Sequence, residues 1–233
     1  MTDVICRHKP APGPLGPAEE DRLRQAVADL AEPDAALRRL AVHYLGRQAD
    51  GRTLPHLIGA AADPDREVRQ AALEALSSFG PQAREALRLA LDDPQPSVRL
   101  AALRGLYRTL GEAAGDIFLE QARSESALLR RRSLLYLGLT GGEEAEQAVV
   151  CGLRDPASEV RRTAVFALAA LCGARASRHL VAALDDGDPG VRRQAIRALE
   201  GLFGRSAERQ GPQAEMRWKC WWQTRPLEGT EAS

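Results

Sequence analysis

Arginine carries the most regular chemistry in this sequence. Arg38, Arg69, Arg99, Arg130, Arg161 and Arg192 recur at separations of 31, 30, 31, 31 and 31 residues, each directly after an aliphatic residue. A guanidinium is planar, always charged, and offers a fork of N–H donors that matches a carboxylate or a phosphate. Such a ladder could hold an extended anionic ligand. It could also tie neighbouring turns together, and the acidic turns Asp63-Pro64, Asp93-Pro94 and Asp155-Pro156, set at a fixed offset from the arginines, favour that structural use.

Other residues with chemical potential are scattered. The histidines are His8, His43, His56 and His179, with no two at i, i+4, so no metal site is expected. Cys6, Cys151, Cys172 and Cys220 lie far apart with no Cys-x-x-Cys pair, which points to a reducing cytoplasm rather than a disulfide framework. The acidic turn Asp185-Asp186-Gly187-Asp188 has no glutamate at the spacing a calcium loop needs. A Gly-rich phosphate loop, a Gly-x-Ser-x-Gly elbow and a Cys/His pairing are all missing, so no catalytic residue and no cofactor is assigned.

Composition narrows the classes further. The chain has 233 residues and zero formal net charge, so affinity for a charged partner must come from a local patch. Residues 1–17, rich in Pro and Gly, lack the apolar core of a signal sequence and are expected to form a flexible tail. The longest apolar run, 163–174, falls short of the ~20 residues of a membrane span, so a cytoplasmic protein without a membrane span is expected.

The elements that position these residues follow from the repeat. The aliphatic anchors Leu37, Val68, Val98, Leu129, Val160 and Val191 are followed at offset 4 by Ala41, Ala72, Ala102, Ser133, Ala164 and Ala195. At offset 8 stand Leu45, Leu76, Leu106, Leu137, Leu168 and Leu199. Offsets 0, 4, 5 and 8 trace one apolar stripe on a helix. Each Asp-Pro or Glu-Pro is expected to start such a helix, the carboxylate capping an amide and the proline pre-set for the first turn. Shorter amphipathic helices lie between, joined by Gly-bearing turns. The pattern predicts helical hairpins at about 18–47, 51–79, 81–109, 112–139, 142–171 and 174–203. A lone hairpin cannot bury its stripe, so the hairpins must stack into an all-α solenoid over 18–204.

The pattern D-P-x-x-x-V-R-x-x-A-x-x-A-L resembles the short HEAT-like repeat, the type also found in phycobilin lyases, over roughly residues 20–204. The resemblance implies a right-handed solenoid of about six HEAT-like hairpins, with the second helix of each pair lining a concave surface. Such repeats occur in scaffolds, adaptors, lyase subunits and a metal-dependent hydroxylase. The hydroxylases carry His-Glu pairs as iron ligands, and this sequence has no His-Glu step. The fourth unit departs from the pattern, with Ser124-Glu125 in place of Asp-Pro, and a weaker helix start is expected there.

On the second helices, offsets 2, 3, 6, 9 and 10 face outward. They place Arg39 and His43, then Gln70 and Glu74, then Arg104, Tyr107 and Arg108 on the implied inner surface. The later units add Arg131 and Arg132, Arg162 and Phe166, and Arg193 and Arg197. The expectation is a basic groove on a non-enzymatic scaffold that binds an acidic segment of another protein. A lyase-like or cofactor-handling subunit and a binder of nucleic-acid phosphates are the alternatives. All three tryptophans fall in "RWKCWW". Trp218, Trp221 and Trp222 share one helix face, joined by Met216, in a segment 205–224 expected to cap the open end of the stack, with docking of a partner as the alternative. Residues 225–233 are expected to form a second flexible tail.

Overall fold

The computed structural model describes residues 16–48, 50–204 and 212–224, and every regular element among them is helical. Most of the two expected tails and the stretch 205–211 lie outside the described residues, although Pro17 already opens the first helix. The chain forms two compact units, Met1–Ile117 and Phe118–Ser233. The first contains α1 (Pro17–Asp29), α2 (Ala35–Gln48), α3 (Leu54–Ala60), α4 (Arg66–Leu76), α5 (Arg84–Leu89) and α6 (Pro96–Leu110). The division falls inside α7 (Gly115–Gln121). The second contains α8 (Ala127–Thr140), α9 (Glu143–Gly152), α10 (Ser158–Cys172), α11 (Ser177–Ala182), α12 (Pro189–Phe203) and α13 (Pro212–Thr224). In the first unit α2, α4 and α6 lie side by side; in the second α8, α10 and α12 do. The shorter α1, α3 and α5, and likewise α9 and α11, pack behind them as the first arms of helical hairpins. This is the all-α solenoid architecture predicted from the period.

The apolar stripe forms the core. Val68, Ala72, Leu73 and Leu76 are completely buried, as are Val98, Ala102, Leu103 and Leu106, and the matching residues of α8, α10 and α12 are at most 8% exposed. The first anchor breaks the rule: Leu37 is 45% exposed and its neighbour Leu40 is 62% exposed. α2 packs on α1 and α4, and among the described residues no further second-arm helix precedes it to cover that side.

The repeated arginine is structural. Arg161 extends its Nε and Nη2 to the two carboxylate oxygens of Asp186 at 2.7 and 2.9 Å. Its Nη1 donates to the carbonyls of Asp155 and Pro156 in its own turn. The same fork joins Arg38 to Asp63, Arg69 to Asp93 and Arg130 to Asp155. Arg192 reaches instead to Glu215 on α13, at 2.8 Å, a partner that the repeat pattern does not announce. Arg99 keeps its two carbonyl bonds but forms no ion pair among the described residues, and the sequence places Ser124 where the next acid would stand.

The Asp-Pro acids mostly do not cap helices. Asp63 accepts from the amide of Asp65 two residues on, at 2.8 Å, an Asx turn. Asp65 is the residue that caps α4, accepting from the amides of Glu67 and Val68. Asp93 and Asp155 also hold their own turns. The expected helix start is found at Asp188-Pro189, where Asp188 caps α12 and Pro189 opens it. Asp63, Asp93 and Asp155 are occupied by the preceding arginine, and a side-chain cap two residues downstream of a gripped acid is found at Asp65, after Asp63, and at Asp188, after Asp186.

Two small contacts bring the long helices close. A Cβ on Gly46 would lie 2.5 Å from the Ala75 Cβ, and one on Gly138 would lie 2.6 Å from that of Ala167. Both glycines stand nine residues after an anchor, so α2–α4 and α8–α10 meet at the same height. The most apolar stretch, Ser158–Asp185, averages a mean hydropathy of 1.2 over its best window. It is not one rod: α10 stops at Gly173, whose φ of 53° a side chain would disfavour, and the chain turns back into α11.

Two outcomes follow from the ladder. Arg161→Ala should cost about 1.5–3 kcal/mol in urea unfolding, the range for hydrogen bonds to charged groups, and Arg99→Ala should cost less because no carboxylate is orphaned. A larger loss for Arg99→Ala would overturn the ladder as the source of stability. Acid is the second test. Burial raises the Asp63 and Asp93 carboxyls, but the forks, the turn amides and the neighbouring guanidinium charges bring both below the ordinary value. At Asp155 and Asp186 the arginine fork is the largest influence, with the same result. A carboxyl depressed in the folded state contributes fully above its unfolded value near 4 and stops contributing as pH falls through the lower folded value. Tm should therefore be level through neutral pH and fall below about pH 4. Asp155→Asn should start lower at neutral pH and lose less over the same acid interval.

Candidate partner-binding face

In the second unit the forks Arg130–Asp155 and Arg161–Asp186 hold the starts of α8, α10 and α12 side by side, so equal offsets lie at equal heights. Offset 2 then places Arg131, Arg162 and Arg193 on successive helices, the Arg162 side chain reaching toward Gly190 at the start of α12. Offset 3 forms Arg132, Thr163 and Gln194; offset 6 forms Leu135, Phe166 and Arg197. Packed helices stand about 8–10 Å apart, axis to axis. Phe166 is 46% exposed, a large apolar side chain left in water among charges. Arg131, Arg132, Leu135, Arg162, Thr163, Phe166 and Gln194 line a shallow cleft of about 270 Å³. The Arg132 guanidinium also lies 6.0 Å from the Tyr136 ring centroid, within cation–π range. Among the described residues Arg131, Arg132, Arg162, Arg193 and Arg197 form no ion pair.

The first unit differs, so the single basic stripe expected from sequence breaks into two unlike halves. Arg39 forms an ion pair with Glu67, and Arg104 donates to Glu74 at 2.5 Å. Its rows read Arg39, Gln70, Leu100 and His43, Glu74, Arg104, with acids interleaved. Arg108 and His43 are exposed and Tyr107 is half-buried. Glu67, one residue before its anchor Val68, lies outside the outward offsets. Its distance of 28 residues from Arg39 is close to one repeat, which is the signal that would have found the pair.

α13 packs on α11 and α12. Trp218 is 4% exposed, its ring 6.1 Å from Phe203 and edge-on to Trp221 at 5.4 Å. Trp221 lies 4.8 Å from Phe203, and Trp222 is half-buried. Met216 does not join this face: it is 69% exposed. Two residues before Trp218 is roughly 200° around a helix, whereas Ala214, four before, is fully buried. Lys219 adds an ion pair to Asp185.

A larger cleft, about 950 Å³, opens elsewhere in this unit, lined among others by Glu143, Glu146, Cys151, Arg175, Arg178 and His179. Its acids and arginines offset one another, as in the 3.7 Å pair Arg175–Glu146. Burial, then the Arg178 charge, lowers the His179 pKa, and Arg178 Nε donates to its Nε2 at 3.1 Å. His56 is exposed on α3. Among the described residues no cluster of three His, Cys, Asp or Glu could hold a metal ion.

Comparison with known proteins agrees with this architecture. A family model described as HEAT repeats matches residues 20–107 and 115–200. The complex of CpcE and CpcF of phycocyanin lyase from Nostoc sp. PCC7120 shares the fold at a TM-score of 0.52 and 20% identity, over 93% of this chain and 98% of that one. The Escherichia coli protein YibA does so at 0.55 and 17% identity, over 81% of this chain and 77% of its own. No curated protein gives a significant match. With most of its length covered by the repeat match, the chain belongs to the HEAT-repeat family.

Proposed function

We propose that this chain is a protein-binding module, and that the face formed by α8, α10 and α12 takes up an acidic segment of another protein. One observation supports the reading: three guanidinium groups without a carboxylate partner among the described residues, Arg131, Arg132 and Arg162, line one cleft with the exposed ring of Phe166, and Arg193 and Arg197 stand unpaired on the next helix. Arginine forks and an aromatic side chain in an open position are the usual components of a contact hot spot. A protein of zero net charge that leaves one face this basic has placed a complementary field there. In the first unit the equivalent arginines are already engaged by Glu67 and Glu74, so an acidic partner would have to displace them. We read α13 as the seal of the second unit rather than as a docking helix, because its central tryptophan is spent on Phe203.

The test is charge reversal. Arg162→Glu combined with Arg193→Glu should leave the far-UV spectrum unchanged and weaken capture of fluorescein-labelled polyglutamate at least about tenfold, or 1.4 kcal/mol. Arg39→Glu in the first unit should change it little. Retained affinity in the folded double variant would remove the face from consideration. A preference for single-stranded DNA, with affinity falling steeply with salt at about 0.7 per neutralised phosphate, would replace the acidic protein by nucleic acid.

A further inference from the structure

The side of α2 turned away from α4 carries no second-arm helix among the described residues, and the repeat identifies which residues form it. Where two long helices touch, the later one contributes the residue seven after its anchor: Ala75 meets the position of Gly46, and Ala167 that of Gly138. Offset 3, one turn earlier, shares that side; on α4 and α6 it holds Ala71 and Ala101, at most 4% exposed. Offset 7 is small in the inner units, as Ala75, Gly105, Ala167 and Ala198. Tyr136 on α8 is the exception, and its ring is buried against Phe118. On α2 the same two offsets hold Leu40 and Tyr44, with Leu37 one turn before. Leu40 and Leu37 are exposed, and Tyr44 is half-buried. A terminal repeat that faces water needs a polar outer side. This one presents two leucines and a tyrosine, next to an α1 whose Leu23, Val27 and Leu30 are also only half-buried.

The charges at the two ends of this strip identify what covers it. Asp34, exposed at the start of α2, accepts from the Ala36 amide at 2.8 Å, and Arg47 lies exposed in the last turn. Neither forms an ion pair among the described residues. The start of α2 is held in place, because Arg38 binds the Glu32 and Pro33 carbonyls and the Asp63 carboxylate together. α2 therefore offers an acid at one end, a base at the other and an apolar strip between them. Such a helix is complementary to itself when reversed. Residues equally far from a two-fold axis stand level on antiparallel helices. An axis between positions 40 and 41 sets Asp34 level with Arg47 of the partner subunit, and Leu37 level with Tyr44 of the partner subunit. Leu40 then lies beside the axis itself. A parallel pairing would bring like charges together.

We propose that two copies of this chain associate through this strip, forming an isologous dimer in which the α2 helices run antiparallel across a two-fold axis. The proposal is independent of the acidic-segment reading, whose face belongs to the second unit. A face made by two short helices is at the low end of specific interfaces, so the dimer is weak and concentration-dependent. Sedimentation equilibrium of the full chain between about 1 and 500 μM, a range that brackets weak association, should show a monomer–dimer equilibrium. Leu40→Glu, at an exposed position, should leave Tm and the far-UV spectrum unchanged and raise the dissociation constant at least about tenfold. Arg47→Asp should also weaken the dimer, and adding Asp34→Arg to it should restore association, because the two charges are then exchanged across the axis. Arg162→Glu with Arg193→Glu should leave the dimer as it was. A chain that stays monomeric throughout the range would overturn the proposal, as would a dimer indifferent to Leu40→Glu or assembly that continues past two copies. A folded double variant no tighter than Arg47→Asp alone would overturn the antiparallel pairing.

Discussion

Everything in this molecule hangs on a guanidinium that does two jobs at once. Four of the six ladder arginines, Arg38, Arg69, Arg130 and Arg161, close their own turn through two carbonyls and grip the acid of the following turn through a fork. The gripped aspartate, in turn, fixes the amide two residues on. Backbone groups that a tight helix-to-helix connection would leave unpaired are thus satisfied by a side chain, and the charge brought into a half-buried place is met by its opposite. The arrangement is neutral pair by pair, which is one source of the chain's zero net charge. It also explains why these arginines are unavailable to a ligand: their side chains at Arg69, Arg130 and Arg161 are only 12–18% exposed.

With the starts of neighbouring helices aligned, a residue's offset decides its neighbours on the next helix. The outward face then behaves as a grid, and what stands on it is free to vary. The first unit interleaves acids with its arginines, pairing Arg39 with Glu67 and Arg104 with Glu74, and the second carries arginines and an aromatic ring. The same scaffold therefore carries different charge patterns on its two units over cores of the same kind. Ser133, fully buried where the other units carry alanine, shows the opposite case: its hydroxyl finds no partner and gains nothing visible for the fold.

The architecture was legible because it is periodic. Six anchors, six small residues and six leucines at constant offsets determine the helices, their buried side and their stacking, and the structure departs from that reading at Leu37, where the period has no preceding member. What escaped lies off the period. Glu215 substitutes for an aspartate from within a helix, so no Asp-Pro marks it. Met216 stands beside three tryptophans in sequence yet on another face, since neighbours along a helix point apart. The pairing of Arg39 with Glu67 and of Arg104 with Glu74 depends on where long side chains reach between helices, which offsets alone do not reveal. For the same reason the candidate site was half legible: its residues were named, but their division into paired and unpaired sets was not.

The ladder also has a kinetic side. Each carboxylate is gripped by an arginine only 24 or 25 residues earlier in the chain, so no tie requires closing a loop longer than one repeat. The entropy of loop closure stays small and nearly constant along the molecule, and contacts remain local, the condition under which chains fold quickly. A turn can be locked as soon as the next acidic turn has left the ribosome, without waiting for any distant part of the sequence. Assembly then proceeds by accretion from whichever repeat forms first, each added acidic turn answering the arginine of the turn before it.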